Sequence, residues 1–137
     1  VNIRKMTLDD IPLLNLSEDW MRGRYRMYLA AETGPSWVME DNGGLLCAFG
    51  AAFLWSGVCE VYFNLIEKRH IISQLRTVKR FLDEQGKKYN VRRFHATVKC
   101  DFDIGKKFIE FLGFQCEGKL RKYNPDGSDA YLYSRIV

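Results

Sequence analysis

The sequence predicts a single α/β (α+β) domain over residues 1–137, a mixed central sheet of about seven strands with four helices. Three observations predict it. Runs of strand length, rich in β-branched and aromatic residues, are interspersed with segments of helical apolar spacing, in the order β-α-α-β-β-β-α-β-α-β-β. One stretch, residues 58–86, passes from strand through a short basic turn into a helix, which is how a crossover to a parallel strand begins. The chain has 137 residues, 47% of them hydrophobic, without a long apolar run, so it can bury a core and does not read as disordered or membrane-spanning.

Residues 1–6 alternate and read as an opening strand rather than a signal peptide. Thr7 is placed to cap a first helix, with Asp10 at its third position and Pro12 early enough to be tolerated. A second helical piece covers residues 25–32, stopped by Gly34-Pro35. Residues 37–40 form a strand, and Asp41-Asn42-Gly43-Gly44 signals a hairpin in which Asn-Gly takes positive φ at both turn positions. Residues 45–55 form a long apolar strand, and Ser56-Gly57 turns into the next, where Val58, Val61, Tyr62 and Phe63 begin a run that Leu65 and Ile66 extend. Ile71, Ile72, Leu75, Val78 and Leu82 make one helical stripe. Residues 92–100 are the strand expected to lie parallel to the fourth. Asp101 or Asp103 caps a helix with the stripe Ile104, Phe108, Phe111 and Leu112; Gly113 ends it in the left-handed region and Phe114 returns to the core. Residues 115–123 are a strand, Asn124-Pro125-Asp126-Gly127 a turn, and residues 130–136 the last strand.

The net charge of +4 is unevenly spread. Residues 1–63 carry five Lys/Arg and eight Asp/Glu, residues 64–137 sixteen and nine. A basic second half suits a phosphate-bearing ligand, a nucleic acid or a solvated surface. Cys47, Cys59, Cys100 and Cys116 lack metal-ligand spacing and read as reduced core thiols of a cytoplasmic protein, with no metal site.

The turn Lys68-Arg69-His70 feeds a helix whose first N–H groups lack intrahelical acceptors. Residues 65–73 therefore read as an anion cradle.

The element order, the basic turn after the fourth strand, and the closing block resemble the GNAT N-acetyltransferase superfamily. The block comprises Leu112-Gly113-Phe114, Glu117-Gly118, Arg121, Tyr123 and a strand with Tyr131 and Tyr133. Small phage- and prophage-encoded members are the most similar. The resemblance implies acetyl-CoA as cofactor, bound where the fourth and fifth strands part. Its pantetheine would lie along Asn64, Leu65 and Ile66, and its pyrophosphate on Lys68, Arg69, His70, Ile71, Ile72 and Ser73. The family pattern Gln/Arg-x-x-Gly-x-Gly/Ala is degenerate: counted from Arg69, Ile72 and Gln74 hold the glycine positions; counted from Lys68, Ile71 and Ser73 do. Glu60 resembles a fourth-strand glutamate that some members use as base, and strand alternation puts it with Tyr62 and Asn64. The family's tyrosine acid, four residues before the glycine of Gly113-Phe114, falls at Ile109, and its asparagine at Phe102, with Gly105 the nearest small residue. Tyr123, Tyr131 and Tyr133 are the alternative donors, Tyr123 the first choice, against ordinary strand packing for each. His95 reads as a packed strand residue, His70 as a phosphate contact or a solvent-facing turn residue.

The implied function is acetyl transfer from acetyl-CoA to an amine of a small molecule or protein. The alternative is a GNAT-fold protein that binds or assembles without catalysis. Lys87, Lys88, Arg92, Arg93, Lys106 and Lys107 raise a nucleic-acid partner, which is not expected because no recognition motif accompanies them. No membrane partner is expected, and the oligomeric state, a homodimer included, is open.

Overall fold

A computed structural model describes residues 1–14 and 36–137. The second predicted helix, residues 25–32, lies outside them. The strands are β1 (Asn2–Lys5), β2 (Ser36–Asp41), β3 (Gly44–Trp55), β4 (Val58–Leu65), β5 (Arg93–Lys99), β6 (Gln115–Leu120) and β7 (Ala130–Ile136). They form one mixed sheet ordered β1-β2-β3-β4-β5-β7-β6. Among the described residues the helices are α1 (Ile71–Lys88), α2 (Asp103–Phe111) and a 3-10 helix, Leu8–Leu13. None is long and apolar enough to cross a membrane. The chain falls into two compact units, Val1–Ala52 with Val61–Thr77, and Phe53–Glu60 with Val78–Val137.

In the first unit β1 and β3 flank β2 antiparallel, with Ile3 opposite Met39 and Val38 opposite Ala48. Met6, Ile11, Leu14, Val38, Ala48 and Tyr62 make a buried cluster, inside which the Tyr62 hydroxyl bonds Ser36 Oγ at 2.6 Å. The expected first helix is a 3-10 turn. Pro12 has no N–H to give an α-ladder, and Leu14 is already extended. Its predicted cap holds: Asp10 accepts Thr7 N–H at 2.8 Å. Asp10 is buried, and burial pushes its carboxyl up. Two hydrogen bonds from Arg4 (2.7 and 2.9 Å) and those from Thr7 outweigh that and hold it below the usual range. The hairpin differs from expectation. Positive φ falls on Gly44 (114°), not on Asn42 or Gly43, and the β2–β3 register shifts at Met39/Glu40. A turn without positive φ, followed by a left-handed glycine and a bulge, connects the strands instead of a primed turn.

In the second unit β4 and β5 are parallel, as predicted, through Val58↔Arg93, Cys59↔Phe94 and Glu60↔His95. β7 pairs antiparallel with both β5 and β6. Phe94, Tyr133 and Arg135 face the helices: the Phe94 ring lies against Gly86, the Tyr133 hydroxyl is 3.5 Å from Glu110, and Arg135 pairs with Asp83. Helix α2 ends as read, with Gly113 at φ 91°. Gly113 N–H bonds to Glu110 O and Phe114 N–H to Ile109 O, the two bonds of a Schellman cap. Its start differs: Phe102 is the cap residue and caps with no side chain, while Asp103 pairs with Lys106. Its buried residues are Ile109 and Leu112; Ile104 and Phe111 are exposed. Strand β6 stops at Leu120, short of the predicted residue 123, because Lys122 turns left-handed (φ 53°) and its N–H is taken by Asp129. The turn after it closes as expected, Gly127 N–H bonding to Asn124 O at 2.8 Å. Cys116 is exposed and Cys100 half-buried, so the core reading of the cysteines holds for Cys47 and Cys59 alone. Burial pushes their thiols up to about 12 and about 11.

Candidate active site

In the first unit, the end of β4 is tied down before the turn begins. Asn64 is buried, and Leu65 and Ile66 are half-buried. The N–H groups of Ile66 and Glu67 share the Leu46 carbonyl, both at 2.9 Å. Residues 67–70 are exposed. His70 has φ 56°, a conformation that costs a non-glycine residue about 1–2 kcal/mol.

What holds the turn is Gln74, fully buried in the first turn of α1. Its Nε2 donates to the carbonyls of Glu67 (2.9 Å) and Arg69 (2.6 Å), and its N–H to that of His70 (2.9 Å). Its Oε1 has no partner among the described residues. The Gln74 side chain thus points inward, under the turn. The N–H groups of Ile71, Ile72 and Ser73 have no acceptor among the described residues. Ile72 was expected in the apolar stripe, but it is 54% exposed, whereas Leu75, Val78 and Leu82 are buried.

The basic residues of the turn divide by partner. Arg69 reaches back to the β2–β3 hairpin and pairs with Asp41 at 3.0 and 3.2 Å. That bond, with Gly43 N–H, holds the Asp41 carboxyl below its usual range. His70 Nε2 lies 4.0 Å from Asp41. Lys68 has no hydrogen-bond or ion-pair partner among the described residues and is free to meet an anion.

In the second unit, Glu60 is half-buried and has no hydrogen bond or ion pair among the described residues. Tyr123, expected on a strand, sits on the turn beyond β6 and is 51% exposed. Tyr131 is half-buried with Lys106 Nζ 5.3 Å from its ring centre. Tyr133 is buried, and burial together with the Glu110 charge raises its pKa, so it keeps its proton. Ile109 is core.

A second polar group was missed by sequence reading. β6 carries a bulge between Cys116 and Gly118, and the extra residue is Glu117. Its carboxylate accepts two bonds from Arg93 (2.9 and 2.5 Å) and one from Ser134 Oγ (2.6 Å). These bonds, Arg93 first, hold its carboxyl down at about 2. A bulge that re-aims one side chain leaves no mark on strand periodicity; the Glu117-Gly118 pair was its one trace.

No family model and no curated protein matches the chain. Solved structures do. A ribosomal-protein-alanine N-acetyltransferase from Brucella melitensis matches at TM-score 0.74 and 16% identity over 100% of both chains. An acetyltransferase of the GNAT family from Bacillus anthracis matches at 0.72 and 16%, covering 98% of this chain and 93% of its own. A spermidine N-acetyltransferase chimera from Vibrio cholerae matches at 0.71 and 17%, covering 99% and 96%. The chain has the GNAT fold. The resemblance seen in the closing block therefore extends through the architecture. At these identities the likeness concerns fold.

Proposed function

We propose that this GNAT-fold chain is an acetyl-CoA-dependent N-acetyltransferase acting on an amine of a small molecule or protein. The observation that carries this reading is the start of α1. Three adjacent N–H groups, of residues 71–73, lie open beside an unpaired Lys68, on a turn that Gln74 holds from beneath. That donor set suits a diphosphate: unpaired backbone N–H groups at a helix N-terminus and a cation. The side chain at the second glycine position does not occupy the cradle, since it is buried and bonded to carbonyls.

Residues 64–66 and 68–73 would hold the cofactor, with Lys68 the charge partner and Arg69 serving the turn through Asp41. Bound acetyl-CoA supplies an activated acyl carbon on a thiol leaving group. Glu60 receives the incoming ammonium, as the one carboxylate of β4, without a competing partner among the described residues. Tyr123, on an exposed turn, is the donor to the leaving thiolate; buried Ile109 offers no proton, and Tyr133 is committed to the helix face. The structural neighbours are named for a ribosomal-protein alanine and for spermidine, which brackets the acceptor between a protein terminus and a polyamine. Four free thiols fit a reducing, cytoplasmic setting.

The non-catalytic reading is favoured by one observation, Ile109 buried at the acid position. Calorimetry with acetyl-CoA, followed by thiol release with a panel of amines, separates the two. Binding with turnover is expected. Absence of binding sinks the transferase reading, and binding without turnover favours the alternative.

A further inference from the structure

Three strands lay a row of polar residues across one face of the second unit. Glu60 in β4 is registered with His95 in β5, and His95 with Ser134 in β7. Registered neighbours point to the same face of a sheet, about 5 Å apart. This face is turned away from α1 and α2, because Phe94, Tyr133 and Arg135, one residue along, are the ones that meet the helices.

Glu117 closes the far side of the row. Its carboxylate is fixed by Arg93 and Ser134, and its charge is felt together with that of His95. On the near side Glu60 is unpaired among the described residues. A half-buried imidazole thus stands between a carboxylate unpaired among the described residues and a fixed one, while Arg93, on its own strand two residues back, is spent on Glu117.

We propose that Glu60 and His95 act together on the acceptor: the Glu60 carboxylate holds the ammonium of a primary amine, and the His95 imidazole takes its proton. This rests on the N-acetyltransferase reading and deepens it. The division follows from basicity. Imidazole is the side chain suited to proton removal near neutrality, and a carboxylate the one suited to holding a cation. One N–H bond of the ammonium breaks and an imidazolium N–H forms. The freed lone pair makes the C–N bond to the thioester carbonyl carbon, the nitrogen gives up a second proton to solvent water, and the C–S bond breaks with its electron pair leaving on sulfur. The thiolate takes a proton from the Tyr123 hydroxyl, which recovers it from the imidazolium through solvent. Glu117 stabilises the imidazolium, and Arg93 and Ser134 are positioning residues that keep Glu117 ionised and in place.

The test is acetyl transfer to n-butylamine between pH 6 and 9.5 in wild type, His95→Gln and Glu117→Gln. His95→Gln should lower kcat/KM about 10²-fold at pH 7, with the loss shrinking toward pH 9.5 and the KM for acetyl-CoA unchanged. Glu117→Gln should move the rising limb of the profile to lower pH, because the imidazolium loses its counter-charge. A His95→Gln profile parallel to wild type overturns the proposal. A second measurement needs no turnover: imidazole NMR, with the two histidines told apart by His70→Gln. Added n-butylamine should shift the His95 signals and not those of His70, and Glu60→Gln should abolish the shift. No shift overturns the amine site even if turnover is found. A shift without turnover supports the amine site and counts against the transferase reading alone.

Discussion

The side-chain amide of Gln74 donates to the carbonyl of Arg69 at 2.6 Å, so a side chain in the first turn of α1 supports the preceding turn from within. Placing a glycine there should therefore harm the protein. Gln74→Gly removes a fully buried side chain, two hydrogen bonds and helix propensity together. Each bond contributes about 1 kcal/mol and the glycine costs about 1 kcal/mol in a helix, so a loss of roughly 2–4 kcal/mol is expected. Urea unfolding checks the stability. Calorimetry checks the corollary, that acetyl-CoA affinity falls rather than rises as the cradle loosens.

The two basic residues before His70 should behave differently. Lys68 is unpaired among the described residues, so Lys68→Ala should weaken acetyl-CoA binding by roughly tenfold, the scale of one charge-assisted hydrogen bond. Arg69 already pairs with Asp41, and Arg69→Ala should act through the hairpin instead. Its effect on acetyl-CoA affinity should be smaller than that of Lys68→Ala and matched by Asp41→Asn. Titration of the three variants decides; equal losses for Lys68→Ala and Arg69→Ala would assign both side chains to the phosphate.

Much of this fold was legible because burial enforces period. β4, the long helix and the Gly113-Phe114 stop follow from apolar spacing and one left-handed glycine. What escaped was decided by local polar chemistry. Pro12 turned a capped helix into a 3-10 turn, Lys122 and Asp129 cut β6 short, and the bulge at Glu117 re-aimed a carboxylate. In the candidate site, the basic turn was readable from charge. The inward rotamer of Gln74 and the diversion of Arg69 to Asp41 were not, because both depend on partners 5 and 28 residues away.

Glu117 sets an acid limb on stability. Its folded pKa, about 2, lies below the ordinary glutamate value, so its bonds to Arg93 and Ser134 stabilise the folded state fully above about pH 4.3. That contribution fades as pH falls from there toward about 2. Glu117→Gln should lower Tm at pH 6, and the gap to wild type should close progressively below pH 4. Thermal unfolding from pH 2 to 6 reads it; a gap independent of pH would show that shape rather than charge holds the bulge.

Glu60 carries the most exposed claim of the proposed mechanism. It is the only acid of β4 and has no partner among the described residues, so Glu60→Gln keeps the shape and removes only the charge. Acid–base machinery contributes about 10²–10⁴-fold, and without the carboxylate that holds the ammonium beside His95, turnover of a competent amine at pH 7 should fall by that order. The loss should shrink at high pH, where the amine is already deprotonated and has no charge for the carboxylate to hold. Acetyl-CoA affinity should stay nearly unchanged, because the cradle at residues 68–73 draws on other donors. Steady-state rates across pH, alongside calorimetry with acetyl-CoA, make the check. Equal turnover at pH 7 would reassign Glu60 to a structural role. A fall in turnover that persisted undiminished at high pH would show that the carboxylate acts on something other than the ammonium charge.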